Sequence, residues 1–261
     1  MHDRVRNAGP RSSHALDPLD VEWQRMTMGV ERLCAWTGPL FLVIFFAAFI
    51  GLADMWPPRP PSWSAEQIKA FYLEDVLTKR LGIAICLFAW TLMVPWTVVL
   101  AAQTARIERG FRIFSIMQLA GGISTMAMGE IMLLFWGINT FRPAEWPAET
   151  MRMLNDLGWF IFVMYWAPGV LWCWSVAAPI LLDRSPEPTF PRWVAYFNLW
   201  VGLCYFPASL GLFFKEGPMA YNGIITVWIP AGVFFAWYGV MTYVILSGIA
   251  VRKRRLSAIQ S

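Results

Sequence analysis

Glu130 is the one carboxylate deep inside an apolar stretch of this chain, in a run from Gly121 to Gly137 with no other charge. An acid placed in hydrocarbon costs about 2.5 to 3.5 kcal/mol even on the mildest insertion scale. Such a group is retained for proton donation, for proton relay, or as a polar anchor for a ligand. The competing reading is structural: a Glu hydrogen-bonded to a neighbouring helix. Glu130 is the expected catalytic residue, and protonation is the one reaction this sequence supports unaided.

A set of polar residues is predicted at the same depth or just above. Asn139, Asn155, Asp156, Tyr221 and Asn222 are the expected ligand-binding groups, with Asp54 and Arg142 nearby. Asn155-Asp156 opens one apolar segment, and Tyr221-Asn222-Gly223 opens another. These residue types also suit helix caps, and a cap can line a pocket. Trp136 and Trp228 are the expected packing surfaces for the apolar body of the ligand. The cavity is predicted to open outward, with Glu130 as its floor.

Sixteen tryptophans are present. Trp36, Trp56, Trp63, Trp136, Trp146, Trp159 and Trp193 fall near predicted interfaces and read as an aromatic belt. Trp90, Trp96, Trp166, Trp172, Trp174, Trp200, Trp228 and Trp237 lie deeper, either as packing or as the lining of a pocket.

Other chemistries are set aside by what the sequence lacks. The two histidines, His2 and His14, lie in the polar N-terminal tail. Bundle haem and metal sites need imidazole, so no metal and no cofactor is expected. Cys34, Cys86, Cys173 and Cys204 form no C-x-x-C pattern, and no disulfide is expected. No lysine lies within a predicted span, and no phosphate-binding glycine loop occurs. The net charge of +4 is gathered at the ends of apolar segments rather than spread as a nucleic-acid surface; nucleic acid is excluded as a partner.

The elements that must position these residues follow from composition. The chain is 57% hydrophobic and 15% charged, where soluble domains carry about 25% charged residues. Uncharged stretches of about 20 residues match a bilayer core of about 30 Å. The fold class is all-α, a polytopic membrane bundle of six transmembrane helices: 33–53, 81–103, 112–137, 157–182, 193–214 and 223–251. Residues 1–16 are expected to be a disordered polar tail. Residues 17–32 read as an amphipathic helix on the inner surface, capped by Asp17, with Leu19, Trp23, Met26, Val30 and Leu33 on one face. The six-span domain covers 33–251, and 252–261 is a basic cytoplasmic tail. After the first span, the stiff run Met55-Trp-Pro-Pro-Arg-Pro-Pro61 leads to Ser64-Ala-Glu-Gln67, a capping-box pattern. An outer-surface helix is predicted there, with Ile68, Phe71, Tyr72 and Val76 at helical spacing. Prolines 39, 95, 168, 179, 207 and 230 should bend the spans.

Lys and Arg set the orientation. With both ends inside, inner segments hold 14 of the 21 basic residues and outer segments 7, which favours N-in/C-in. A short similarity links Trp63-Ser-Ala-Glu66-Gln-Ile-Lys69 to Trp146-Pro-Ala-Glu149-Thr-Met-Arg152, and a second links Arg112 and Gln118 to Arg192 and Asn198.

The function expected is an integral protein of a bacterial inner membrane that binds a hydrophobic small molecule or lipid in an outward-facing cavity. Transport or proton-dependent conversion would centre on Glu130. The alternative is a non-catalytic subunit or assembly partner of a larger membrane complex. Expected partners are membrane lipids and the hydrophobic ligand, with a membrane-protein partner or homo-oligomer under the second reading. The face Gly121, Gly122, Gly129 discriminates: packed within the chain it favours the pocket, and against another protein it favours the subunit.

Overall fold

The computed structural model describes residues 18–108, 110–186 and 188–260, and all the regular structure among them is helical. The tail 1–16 and the Asp17 cap lie outside these residues. The helices are α1 (Pro18–Gly51), α2 (Ala65–Leu73), α3 (Val76–Thr91), α4 (Met93–Thr104) and α5 (Ile113–Phe141). They continue as α6 (Ala148–Met164), α7 (Ala167–Leu182), α8 (Arg192–Tyr205) and α9 (Ile229–Gln260). A 3-10 segment, Phe206–Leu212, extends α8, and a π-helical turn, Ile224–Trp228, leads into α9.

Among the described residues, five stretches are long and apolar enough to cross a bilayer: Glu22–Gly51, Val76–Thr104, Ile113–Phe141, Ala148–Leu182 and Ile224–Ala258. Their outward faces carry Val43, Phe88, Leu134, Leu171 and Tyr243, all exposed. A surface covered in large apolar side chains is the opposite of a water-soluble surface, and it fits a helical bundle of an integral membrane protein. The segment predicted as a fifth crossing is broken instead of continuous. α8 ends at Tyr205 because Pro207 has no N–H to give the Leu203 carbonyl; Phe206 N–H takes that carbonyl in a tighter turn.

Proline explains the other breaks. Pro95, Pro168 and Pro230 each follow closely on an interruption: between α3 and α4, between α6 and α7, and at the π turn before α9. Pro39 and Pro179 stay inside helices.

The expected division between a surface helix and the first span is absent, because α1 runs unbroken from Pro18. Nothing in Arg32-Leu-Cys-Ala-Trp36 stops a helix. The stripe Trp23, Met26, Val30 and Leu33 does face outward, all exposed, but as the near end of a continuous helix. Glu31 turns inward and is buried. Arg106 donates to its Oε1 at 2.5 Å, Gln103 Nε2 donates to Oε2 at 2.9 Å, and Arg252 donates to the same Oε2. This clamp joins α1, the end of α4 and α9 at one pole of the bundle, the basic pole. There the Glu108 carboxylate also accepts from the backbone N–H of Phe114 at 2.9 Å and of Ser115 at 2.8 Å, filling the open N-terminus of α5.

At the opposite pole, α2 forms as its sequence predicts. Ser64 and Gln67 make both halves of the capping box, and Ile68, Phe71 and Tyr72 are buried. Asp75, with φ 44°, turns the chain into α3. Lys69 Nζ donates to the Trp146 carbonyl at 2.8 Å, so the two similar segments around Trp63 and Trp146 meet each other.

The centre is aromatic. Trp96, Trp172 and Trp237 pack edge to face in a triangle with centroids 5.0 to 6.1 Å apart, and Tyr238 lies 4.2 Å from Trp96. For these three deep tryptophans the packing reading holds. Trp174, Trp200 and Trp228 are exposed on the outer face.

Candidate ligand-binding cavity

The polar residues singled out from sequence largely converge, at the pole opposite the basic one. Asn155 is buried midway along α6. Its Oδ1 accepts from the Tyr72 hydroxyl at 3.0 Å, and its Nδ2 donates to Asp156 Oδ1 at 3.4 Å. Tyr221, from the loop before the π turn, donates to the same Asp156 oxygen at 3.2 Å. Trp136 Nε1 donates to the Asn155 carbonyl at 3.3 Å, and Asn139 Nδ2 to the Met151 carbonyl at 2.9 Å. The network thus ties α2, α5, α6 and the loop before α9 together. Burial pushes the Tyr72 phenol far above its usual range, with the Asp156 charge adding to it against Asn139 and Arg59. Burial does the same to Tyr221, reinforced by the charge and hydrogen bond of Asp156. Both phenols therefore remain neutral donors.

Asn222 is half-buried and makes no hydrogen bond. Arg142 pairs with Glu145 at 3.7 Å, and Asp54 pairs with Arg59. Neither joins the network.

The floor beneath this network is aromatic. Trp136 and Trp159 pack 4.8 Å apart, Phe49 lies 5.6 Å from Trp136, and Tyr221 stacks parallel to Trp159 at 6.3 Å. Trp136 and Trp159 are fully buried.

Two cavities adjoin this aromatic layer. The first, about 220 Å³, is lined by Phe45, Phe49, Trp56, Trp228 and Phe235, with Phe162 and Ala231 beside them. The second, about 90 Å³, shares Phe162 and Ala231 and extends to Trp90, Gly129, Tyr205 and Thr226. Apolar cavities of about 150 Å³ take up benzene-sized guests; the first cavity exceeds that size and the second falls below it. At the mouth of the first, Trp56 and Trp228 meet edge to face at 4.6 Å, and the exposed Trp228 faces the surroundings of the bundle.

The walls are mostly apolar, with Trp90, Thr125, Tyr165, Trp166, Tyr205 and Thr226 bringing polar atoms to the second cavity. Trp90 Nε1 and Thr226 Oγ1 are buried with no hydrogen-bond partner among the described residues, and the buried Tyr205 hydroxyl has only the weakly bonding Cys173 thiol as its partner. All three belong to residues lining the second cavity. Sequence reading named Trp90 among the deep tryptophans, but passed over Tyr205 and Thr226. Their signal is weak, since a Tyr or Thr within a span is as readily packing as lining. Tyr72 was legible only as part of the buried face of α2.

Glu130 stands apart. It is half-buried, its side chain makes no hydrogen bond or ion pair among the described residues, and it lines neither cavity. Thr125, Met128, Gly129 and Met132 form the cavity face of α5. One residue beyond Gly129 turns about 100° round the helix, which sets Glu130 beside the outward-facing Ile123, Leu134 and Phe141.

The glycine face packs inside the chain. A Cβ on Gly121 would meet the Pro168 carbonyl oxygen at 3.1 Å, one on Gly122 the Thr97 side chain at 2.5 Å, and one on Gly129 the Trp90 ring at 2.1 Å. That contact favours the pocket over the subunit reading. Comparison with protein-family models, with curated proteins and with solved structures finds no match for this chain.

Proposed function

We propose that this membrane protein binds a hydrophobic small molecule or lipid tail in the paired cavities between α1, α5, α6 and α9. The observation that carries the reading is the trio Trp90, Tyr205 and Thr226. A buried polar group left unpaired costs about 1 to 3 kcal/mol. Two such groups and the weakly bonded Tyr205 hydroxyl on one mostly apolar cavity are satisfied together by a ligand with a polar group among apolar atoms. Trp Nε1 can only donate, whereas the two hydroxyls donate or accept. The ligand therefore carries an acceptor, such as a carbonyl, ether or hydroxyl oxygen. It enters sideways past Trp56 and Trp228, and the network of Tyr72, Asn139, Asn155, Asp156 and Tyr221 holds the roof. Proton donation by Glu130, the central role expected from sequence, has no support in its placement.

Six crossings with both ends on the cytoplasmic side complete the proposal. α8 and its 3-10 extension give 14 and 7 residues, or roughly 35 Å at 1.5 and 2.0 Å per residue. Two contacts support a full crossing. Phe190, just before α8, lies beside Gly248 near the basic pole, and Gly211 lies against Tyr221 and Thr226 at the other. The 14-to-7 bias of basic residues supports the orientation and the assignment to a cell inner membrane.

Mass spectrometry of protein extracted gently with its native lipid tests the reading. A stoichiometric small molecule or lipid is expected in the wild type. Ala231→Phe, which fills the wall common to both cavities, should lose it, and Glu130→Gln should keep it. Full retention in Ala231→Phe would sink the proposal. So would stoichiometric partner chains with no bound ligand, which would make the protein a subunit.

A further inference from the structure

At the basic pole, away from the cavities above, a groove of about 540 Å³ runs between α1 and α9. This lies within the roughly 300–1,000 Å³ range of small-ligand sites. On α1 its wall is Arg25, Met28, Gly29, Arg32 and Trp36, at spacings of three and four that define one helical face. On α9 the wall is Leu246, Ile249, Ala250, Lys253 and Arg254, spaced in the same way. The α9 wall is apolar towards the bundle centre and cationic towards its end, while on α1 Arg25 and Arg32 alternate with Met28, Gly29 and Trp36.

The four cations face one another across the groove, and among the described residues no carboxylate lines it. Glu31, the buried acid nearest in sequence, is committed to Arg106, Arg252 and Gln103. Arg32, Lys253 and Arg254 are exposed. The apolar floor opens onto the outward stripe of Leu33, Trp36 and Leu40, all exposed to the bilayer. Gly29 leaves the floor unfilled, since a Cβ there would meet nothing within 4 Å.

We propose that this groove seats one anionic phospholipid. Its phosphate rests among Arg25, Arg32, Lys253 and Arg254, and its acyl chains run down Met28, Trp36 and Leu246. Charge complementarity selects the headgroup. Cations clustered between helix ends at the membrane surface attract acidic lipids at about 1 kcal/mol each. The apolar continuation selects a lipid over a free anion, which would leave the floor bare.

The test is native mass spectrometry of the detergent-purified full chain titrated with phosphatidylglycerol or phosphatidylcholine of matched acyl chains. Phosphatidylglycerol should bind at least about tenfold more tightly. Two variants attack the site differently: Arg32→Gln with Lys253→Gln and Arg254→Gln removes charge, and Gly29→Phe plugs the floor with every charge kept. Both should bring phosphatidylglycerol binding down to the level of phosphatidylcholine. Circular dichroism and gel filtration check that each variant is folded. Equal binding of the two lipids, or undiminished binding in a folded Gly29→Phe variant, would overturn the proposal. Displacement of bound phosphatidylglycerol by excess inorganic phosphate would also overturn it, in favour of a free-anion site.

Discussion

The Tyr72 hydroxyl donates to Asn155 Oδ1 at 3.0 Å, fastening the short helix α2 to the middle of α6. Tyr72→Phe keeps the ring and leaves that oxygen buried and unpaired, at an expected cost of about 1 to 2 kcal/mol. Asn155→Ala should cost at least as much, since it also releases Asp156. A thermal-melt double-mutant cycle should give a coupling of about 0.5 to 1.5 kcal/mol. Strict additivity would show that the bond contributes nothing.

The same phenols predict alkaline behaviour. Their pKa values are raised in the folded state by burial and by Asp156. An unfolded tyrosine ionises near pH 10. The stabilisation from Tyr72 and Tyr221 is therefore fully present below about pH 10 and declines as pH rises above it. Melting temperature should fall less steeply above that pH in the Tyr72→Phe, Tyr221→Phe double variant than in the wild type. Absorbance at 295 nm should show both phenols silent until the protein unfolds.

Glu31 anchors the other pole. Its side chain is 9% exposed, against 39% for Arg106 and 23% for Arg252. Removing one partner of a fully buried pair costs about 3 to 5 kcal/mol. Solvent around the two arginines lowers the expectation for Glu31→Ala to about 2 kcal/mol. A melt indistinguishable from the wild type would show that water replaces the carboxylate without loss.

Glycine substitutions should divide by surroundings. Gly129→Ala drives a methyl into the Trp90 ring at 2.1 Å, and overpacking of this kind costs about 1 to 3 kcal/mol. It also displaces Trp90 from the cavity wall, so bound ligand should fall together with stability. Gly232→Ala meets nothing within 4 Å and should be neutral or slightly stabilising. Equal tolerance of the two, measured by melting in one detergent, would contradict the packing described for α5.

How much of this was legible in the sequence depends on the range of the interaction involved. The Ser64–Gln67 capping box and the proline breaks are local, and local chemistry decides them. The convergence of Asn139, Asn155, Asp156 and Tyr221 was legible because such side chains near apolar segments must find partners, and they are each other's best partners. The unity of α1 was obscured because an apolar stripe facing lipid beside the bundle has the same periodicity as one lying flat on a membrane. The cavity was not legible. It depends on Trp90 sitting over Gly129 and on the π turn that carries Thr226, and both are consequences of how helices far apart in sequence meet. Glu130 was read by its cost alone, and cost does not say which way a side chain turns.

The Glu31 clamp also orders the birth of the molecule. A chain made from its N-terminus exposes Glu31 first, meets Gln103 and Arg106 after about seventy residues, and gains Arg252 only once α9 has been made. Until then α1 is held at its basic end by one arginine instead of two, and α9 closes the bundle as it arrives. A nascent chain stalled before residue 252 should hold α1 loosely, and the arrival of α9 is what locks it.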